Sequence, residues 1–519
     1  MKRLGLNRAL LMTVLTLTAL AISALAVSAT GRAARPDRTL HVAYGDRLLT
    51  LDPQAAYDGI DWQILYATCV KLVNYPDSAA PEGSVPVPEA AAAAPTVSPD
   101  GLHYTFTVPD KGKRFKFSPP SNEWVTAASF QRAFERLRAL DPVWGLYSAM
   151  FPDVTGVVAD GTQLTVTLSR PNPDIVARLA MPAMCAVPVD TPAVESDTIP
   201  TAGPYYVAAA DRNGLTLLRR NPNYHGVRPK KDFDEIAITA NQPADAISDG
   251  LLAGTVDYAP ALGMPDPWWV SFRAAHPDQL QVNPQPAINY LVLNTLRLPL
   301  ALRQAVNYAV NRSTLIQLTG TFAQTPADHI VPPGVPGSTS GSFYPVGGDA
   351  ARAAALAAGY TTPVQIVTPP SAYRIAEANA IATWLRAIGL TVQVSQVSAV
   401  QYYAFLADPT SQWDIAVGGW YSEFLDPSNM MDSLFRSDSP YNYGHVSGYD
   451  AAIAAADALP LGGARDSAFA ELDRSLSLDA APLVVLSNPN SRDPFSNRVG
   501  CQTFNPAFGI DLAAVCRLK

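Results

Sequence analysis

Residues Val364–Val417 read VQIVTPPSAYRIAEANAIATWLRAIGLTVQVSQVSAVQYYAFLADPTSQWDIAV, and the alternation in this stretch decides the fold class. Val364–Thr368 is a short β-branched run that stops at Pro369-Pro370. Ala376–Ile388 carries apolar residues at helical spacing, Thr391–Val397 alternates as a strand, and Trp413–Val417 is a further apolar run. Strands alternating with helices predict an α/β unit with a mostly parallel sheet.

The next ten residues, Gly418–Pro427, read GGWYSEFLDP and hold the candidate chemistry. Gly418-Gly419 is expected to end the strand and let another group approach the backbone. Trp420 and Tyr421 then precede Glu423, and Asp426-Pro427 closes the segment as a turn. An aromatic surface beside one carboxylate suits a ligand with a cationic end and an apolar body. The same letters also fit a buried strand followed by a surface loop with a solvated glutamate.

Working outward, strands are expected at Tyr205–Ala208, Leu215–Arg219, Glu235–Thr239 and Tyr290–Asn294, with helices at about 243–253 and 299–319. Helices near 449–458 and 464–478 follow the quoted stretch, and 483–519 leads into a further strand and a tail. Toward the N-terminus, 38–51 reads as a strand ending in the turn Leu51-Asp52-Pro53, and 60–73 has helical spacing. Residues 76–99 are rich in Pro, Ala and Ser, as in an extended connection. Strands at 102–108 and 114–117, a helix capped by Thr126 and running through Leu140, and two strands in Val154–Leu168 about the turn Asp160-Gly161 make a small α+β unit. That unit lies between Cys69 and Cys185.

The chain has 519 residues and a net charge of −8, with lysines and arginines scattered and not clustered, which argues against nucleic acid and against charge-driven membrane binding. Its length exceeds a single core and suggests two or three lobes. Lys2, Arg3 and Arg8 precede an uncharged run, Ala9–Val27, with small residues at Ala24-Leu25-Ala26 and Val27-Ser28-Ala29. This is the layout of an export signal over 1–29, with an uncleaved anchor as the alternative. No cysteine stands near the cleavage sites, so lipid attachment at the processed end is not expected. The four cysteines, Cys69, Cys185, Cys501 and Cys516, fit two disulfides in an oxidising compartment, and three connectivities are open. Proximity favours Cys501–Cys516, worth roughly 3 kcal/mol, which leaves Cys69–Cys185, worth roughly 5 kcal/mol in the chain-entropy picture. No Cys-x-x-Cys or closely spaced Cys/His pair suggests a metal. No nucleophile elbow, zinc-protease helix, phosphate loop or dinucleotide fingerprint is present, so neither enzyme nor cofactor is expected, although a pair of carboxylates for glycoside hydrolysis stays open.

A series of short motifs runs through the chain in order: Leu51-Asp52-Pro53-Gln54; Ser98–Phe106 (SPDGLHYTF) with Phe115-Lys116-Phe117; Thr126–Phe130 (TAASF); Ala202-Gly203-Pro204-Tyr205; Arg220–Gly226 (RNPNYHG); Gly254–Asp257 (GTVD); Asn289–Asn294 (NYLVLN); Leu302–Arg312 (LRQAVNYAVNR); and Ala358-Gly359-Tyr360. Their number and order resemble the extracellular solute-binding protein family 5, the oligopeptide- and dipeptide-binding components of ABC importers. The contexts of the four cysteines resemble an actinobacterial-type branch of that family.

The resemblance implies a periplasmic-binding-protein-like clamshell of type II. Lobe I would comprise 30–79, 185–292 and 485–519, lobe II the insertion 80–184, and lobe III 293–484. Cys69–Cys185 would then staple the two crossings at the base of lobe II. The resemblance also implies capture of a small peptide or similar amphipathic solute and its delivery to ABC permease membrane subunits with a cytoplasmic ATPase, by a monomer at the outer face of the membrane or in the periplasm. Peptide binders place an aspartate where this chain has Glu423, to hold the peptide ammonium, so here the charge stands one methylene further out. Arg374 falls where dipeptide binders hold the ligand carboxylate. Gly419, Trp420, Tyr421, Asp426, Asn294 and Tyr403 complete the expected ligand-binding set, Tyr403 with neighbouring Tyr402 preceding the key strand. An oligosaccharide, an opine or a metal chelate in the same clamshell, and a secreted hydrolase, are the competing readings.

Overall fold

The computed structural model describes residues 38–518 except 110–114, 227, 229–231 and 261–262. The expected export signal lies outside the described residues. Among those residues no helix is long and apolar enough to cross a membrane. Three sheets carry the architecture. The first has four strands in the order Thr39–Ala43, Glu235–Thr239, Leu215–Arg220, Tyr205–Ala209. The second, also four-stranded, orders Thr96–Val97, His103–Thr107, Gln163–Leu168 and Val154–Asp160 as antiparallel neighbours. In it Tyr104, Phe106, Leu164, Val166 and Leu168 alternate inward and form one core with Phe130, Phe134 and Leu137 of the helix Ala127–Trp144. That helix begins at a capping box between Thr126 and Ser129.

The third sheet has seven strands. Its path runs Leu280–Pro284, Leu483–Pro494, Ala287–Leu293, Ile415–Tyr421, Val364–Thr368, Val392–Gln396, with Gln324–Pro326 paired to Leu483–Pro494. The quoted stretch forms its parallel half: Val364–Thr368 pairs parallel with both Val392–Gln396 and Ile415–Tyr421. The other half is antiparallel. The sheet is therefore mixed, and the expectation of a mostly parallel sheet is corrected. Chain segments from outside the strand–helix alternation, 280–293 and 483–494, add the antiparallel strands. Ala287–Leu293 is buried along its whole length because it is central, flanked on both edges.

Two further expectations change. The strand does not end at Gly418-Gly419 but continues to Tyr421, pairing Tyr290 with Gly418 and Asn289 with Gly419. The glycines make room across the strands: a Cβ on Gly418 would stand 2.7 Å from the Tyr290 ring, and one on Gly419 3.2 Å from Asn289 Oδ1. The helix expected at 299–319 is Leu300–Ala309 followed, after Val310-Asn311, by the short helix Arg312–Leu315.

Two of the motifs that run through the chain act as packing devices. Asp52 and Arg136 are fully buried and paired at 2.7 Å, and Arg136 also meets Gln54, which ties Leu51–Gln54 to the helix Ala127–Trp144. Arg312, at the end of LRQAVNYAVNR, is fully buried and donates to the Ala327, Val485 and Asn307 carbonyls. The disulfides are Cys69–Cys185 and Cys501–Cys516. The first joins the points where the chain leaves for the second sheet and returns from it, and beside it Ala186 N–H donates to the Val70 carbonyl at 2.9 Å.

Candidate functional site

Strand pairing carries Trp420 and Tyr421 to the end of Ile415–Tyr421, opposite Ile288 and Ala287. The chain leaves the sheet there, and Glu423 stands just beyond. Glu423 Oε1 accepts from the Tyr57 hydroxyl at 2.6 Å, and Oε2 accepts from Asn429 Nδ2 at 2.7 Å. Asn429 is oriented in turn by Trp420, whose Nε1–H donates to Asn429 Oδ1 at 2.9 Å. Trp420, Asn429, Glu423 and Tyr57 thus form one polar chain. The helix Ser428–Phe435 supplies Asn429 in its first turn, and the segment before Gly59–Thr68 supplies Tyr57. Burial pushes the Glu423 carboxyl above its ordinary value, while the Tyr57 and Asn429 hydrogen bonds pull it back.

Beside Glu423 lies a cavity of about 510 Å³, within the size range of small-ligand sites. Its aromatic walls are Tyr57, Trp62, Tyr258, Tyr421, Phe504 and Phe508. Three carboxylates line it, Asp58, Glu423 and Asp493, and among the described residues no lysine, arginine or histidine does. Such a space favours a cationic ligand with an apolar body, because the carboxylates supply charge and the rings supply contact area. Tyr57 meets Trp62 edge to face at 5.9 Å, and Trp420 meets Tyr441 likewise at 5.1 Å.

The chain matches the family described as bacterial extracellular solute-binding proteins, family 5 Middle, over residues 85–442. It belongs to that family. It is 24% identical over 443 residues to the probable D,D-dipeptide-binding periplasmic protein DdpA of Escherichia coli (strain K12), covering 80% of this chain and 81% of that one. It is 25% identical over 330 residues to the glutathione-binding protein GsiB of Salmonella choleraesuis (strain SC-B67), covering 62% of this chain and 61% of that one. The solved structure of the unliganded open form of MppA, a periplasmic murein tripeptide binding protein, has a TM-score of 0.79 at 20% identity, covering 93% of this chain and 98% of that one. The fold of this family 5 protein is thus the periplasmic-binding-protein fold.

The other residues expected at the site occupy four further places. Arg374, in the first turn of Ala372–Ala387, pairs with buried Glu377 at 2.9 Å and donates to Asn289 Oδ1 at 3.3 Å. Its Nη2 would stand 3.5 Å from a Cβ on Gly419, so Arg374 and Gly419 meet over the strand. Asn294 is at the opposite end of the central strand, donating to the Trp413 carbonyl at 3.3 Å. It is five residues from Asn289, about 17 Å along an extended strand. Tyr403 is exposed and stacks on Tyr443 at 5.7 Å, whereas Tyr402 is buried and donates to the Val367 and Val417 carbonyls. Asp426 is buried and held by Arg465 through two hydrogen bonds of 2.8 and 3.0 Å. Glu423 and Tyr421 line the cavity; Gly419, Trp420, Arg374, Asn294, Tyr403 and Asp426 are not among its lining residues. Tyr57, Asn429 and Asp493 were not expected from the sequence. Tyr57 lies 366 residues from Glu423, and no local pattern links them.

Proposed function

We propose that this protein is the extracytoplasmic binding component of an ABC importer and captures a small peptide whose α-ammonium is held by Glu423. The observation that carries this reading is the Glu423 carboxylate at the edge of an aromatic cavity whose described lining contains no cation. Its two oxygens each accept one intramolecular hydrogen bond, and a carboxylate has lone pairs left for an ammonium. Relatives named as dipeptide-binding and glutathione-binding support a peptide as the ligand class. Arg374, beside Gly419, is the candidate partner for a ligand carboxylate. The cavity walls come from segments 57–63, 258–260, 285–286, 421–423, 491–493 and 504–509, which the expected boundaries assign to lobes I and III. Hinged closure of these lobes would bury the peptide before it is handed to the permease. Binding without turnover, export across the membrane and a monomeric state complete the proposal.

The test is native mass spectrometry of protein purified from its own host, followed by calorimetry with di- and tripeptides. Recovery of peptides, and peptide binding without cleavage, are expected. Recovery of a sugar or an opine with no peptide, or hydrolysis of the peptides offered, would overturn the reading.

A further inference from the structure

We propose that Asp493 forms a second cation subsite in this cavity, so that the protein selects peptides carrying a basic side chain in addition to the ammonium held by Glu423. The proposal rests on the peptide reading above and names the class of peptide.

Asp493 lies on the strand Leu483–Pro494, lines the cavity, and is only 2% exposed. Its Oδ1 accepts from the Tyr258 hydroxyl at 2.9 Å. Tyr258 is held by Gln63 Nε2 at 3.1 Å, and Gln63 Oε1 accepts from the Tyr44 hydroxyl at 2.9 Å. The carboxylate is therefore fixed by a buried polar chain. Its second oxygen, Oδ2, has no hydrogen-bond partner, nor has the Ser491 hydroxyl on the same face of the strand. Burial pushes the carboxyl's pKa up, and the neighbouring Ser491 and Tyr258 hydroxyls pull it back. No arginine, lysine or histidine is salt-bridged to Asp493 among the described residues. The neighbouring Arg492 is directed elsewhere, lying 4.4 Å over the Trp269 ring and donating to the Thr321 carbonyl.

A fixed, buried carboxylate with a free oxygen and no cation is unfavourable unless something positive reaches it. Several other buried acids are met by arginines, as Asp52 by Arg136 and Asp426 by Arg465, while Asp61 is satisfied by the backbone N–H groups of Leu49 and Thr50. Here the space next to the acid is the cavity itself. The aromatic walls suit the methylene stem of a lysine or arginine, and Asp58, fixed by its hydrogen bond from Ile60 N–H, adds a further negative charge.

The experiment is calorimetry on the full-length protein with four probes: Lys-Ala-Ala, Ala-Lys-Ala and their norleucine counterparts, which keep the stem and lack the charge. At least one lysine peptide is expected to bind about tenfold or more tighter than its norleucine counterpart, the size of a charge-assisted hydrogen bond. The ratio is expected to collapse in Asp493→Asn and to persist in Asp493→Glu. Being a ratio within one protein, it is insensitive to the fraction that is folded. Equal affinities for each pair, or a preference that survives in Asp493→Asn, would overturn the second subsite and leave the peptide reading standing. Failure of all four peptides to bind would overturn both.

Discussion

Two acidic regions of this molecule are handled in opposite ways. Around Asp426, five carboxylates (Asp153, Asp174, Asp426, Asp432 and Asp457) are interleaved with three arginines. Arg465 grips Asp426, Arg178 bridges Asp153 and Asp174, and Arg170 reaches Asp432 and Asp457. Ser428 closes the network with a 2.7 Å hydrogen bond to Asp174. Around Glu423, only three residues earlier in the chain than Asp426, the acids face a cavity whose described lining holds no cation. The difference teaches what each acid is for. Paired charge joins segments 153–178 and 426–465, and the unpaired charge is the proposed ligand anchor. Breaking one region should therefore move stability, and breaking the other should move affinity.

The largest effect is expected from Asp426→Ala. It leaves Arg465, 1% exposed by its side chain, without its main partner, and loss of one member of a buried pair costs about 3–5 kcal/mol. Chemical denaturation should register that loss. A change below ~1 kcal/mol would mean that the network does not bear on stability. Glu423→Gln is expected to do the reverse. Its hydrogen bonds to Tyr57 and Asn429 link polar groups at the cavity edge, so the melting temperature should hardly move. Peptide affinity should fall about tenfold or more, as expected for a charge-assisted bond worth ~1.5–3 kcal/mol. Unchanged affinity in calorimetry would remove Glu423 as the anchor.

That contrast explains how much was legible in the sequence. The strand–helix–strand order of Val364–Val417 was readable because apolar periodicity is local, and so was the segment Trp420–Glu423. The antiparallel half of the sheet was not, since Leu483–Pro494 joins Ala287–Leu293 from nearly two hundred residues away and periodicity is silent on partners. Gly418-Gly419 misled only in part: the expected close approach of another group is made by the Tyr290 ring, but the strand does not end there and runs on to Tyr421. Asp426 and Glu423 looked alike because both are acids in one loop. Arg465, which separates their roles, lies on the helix Gly463–Ser475 with no pattern tying it to either. Asp493 was hidden in a strand that reads simply as polar at its end.

The paired region also predicts a pH dependence. Burial, with Asp432 and Asp174 close by, pushes the Asp457 carboxyl up to about 8, although Arg465 opposes this. Burial also brings Asp174 to about 6 against the pull of Arg178. For acids whose folded pKa exceeds the unfolded one, the folded state binds more protons between the two values. Stability from these groups is therefore greatest below the unfolded pKa near 4 and declines as pH rises toward 8. For one such group the slope is at most about 1.4 kcal/mol per pH unit. Thermal melts from pH 5 to 8 should show Asp457→Asn to be less pH-sensitive than the native protein, and an equal slope in both would exclude Asp457 as the source.

The smallest effect belongs to Tyr57→Phe, and it probes the unpaired region by the same logic with the sign reversed. Tyr57 is more than half exposed, so loss of its hydroxyl should leave stability nearly unchanged. Its hydrogen bond favours the ionised form of Glu423, and its removal lets burial raise that carboxyl further. An ammonium binds only the ionised carboxylate, so affinity is present above the Glu423 pKa and lost as pH falls through it. In Tyr57→Phe the loss should begin at a higher pH. At a mildly acidic pH the variant should bind a peptide about two- to tenfold more weakly than the native protein, the range of one net hydrogen bond. At a pH well above the Glu423 pKa the two should agree closely, because the carboxylate is then ionised in both. Calorimetry at the two pH values separates this from simple loss of contact, which would weaken binding equally at both. The same displacement is expected when Asn429, the other donor to Glu423, is replaced by leucine.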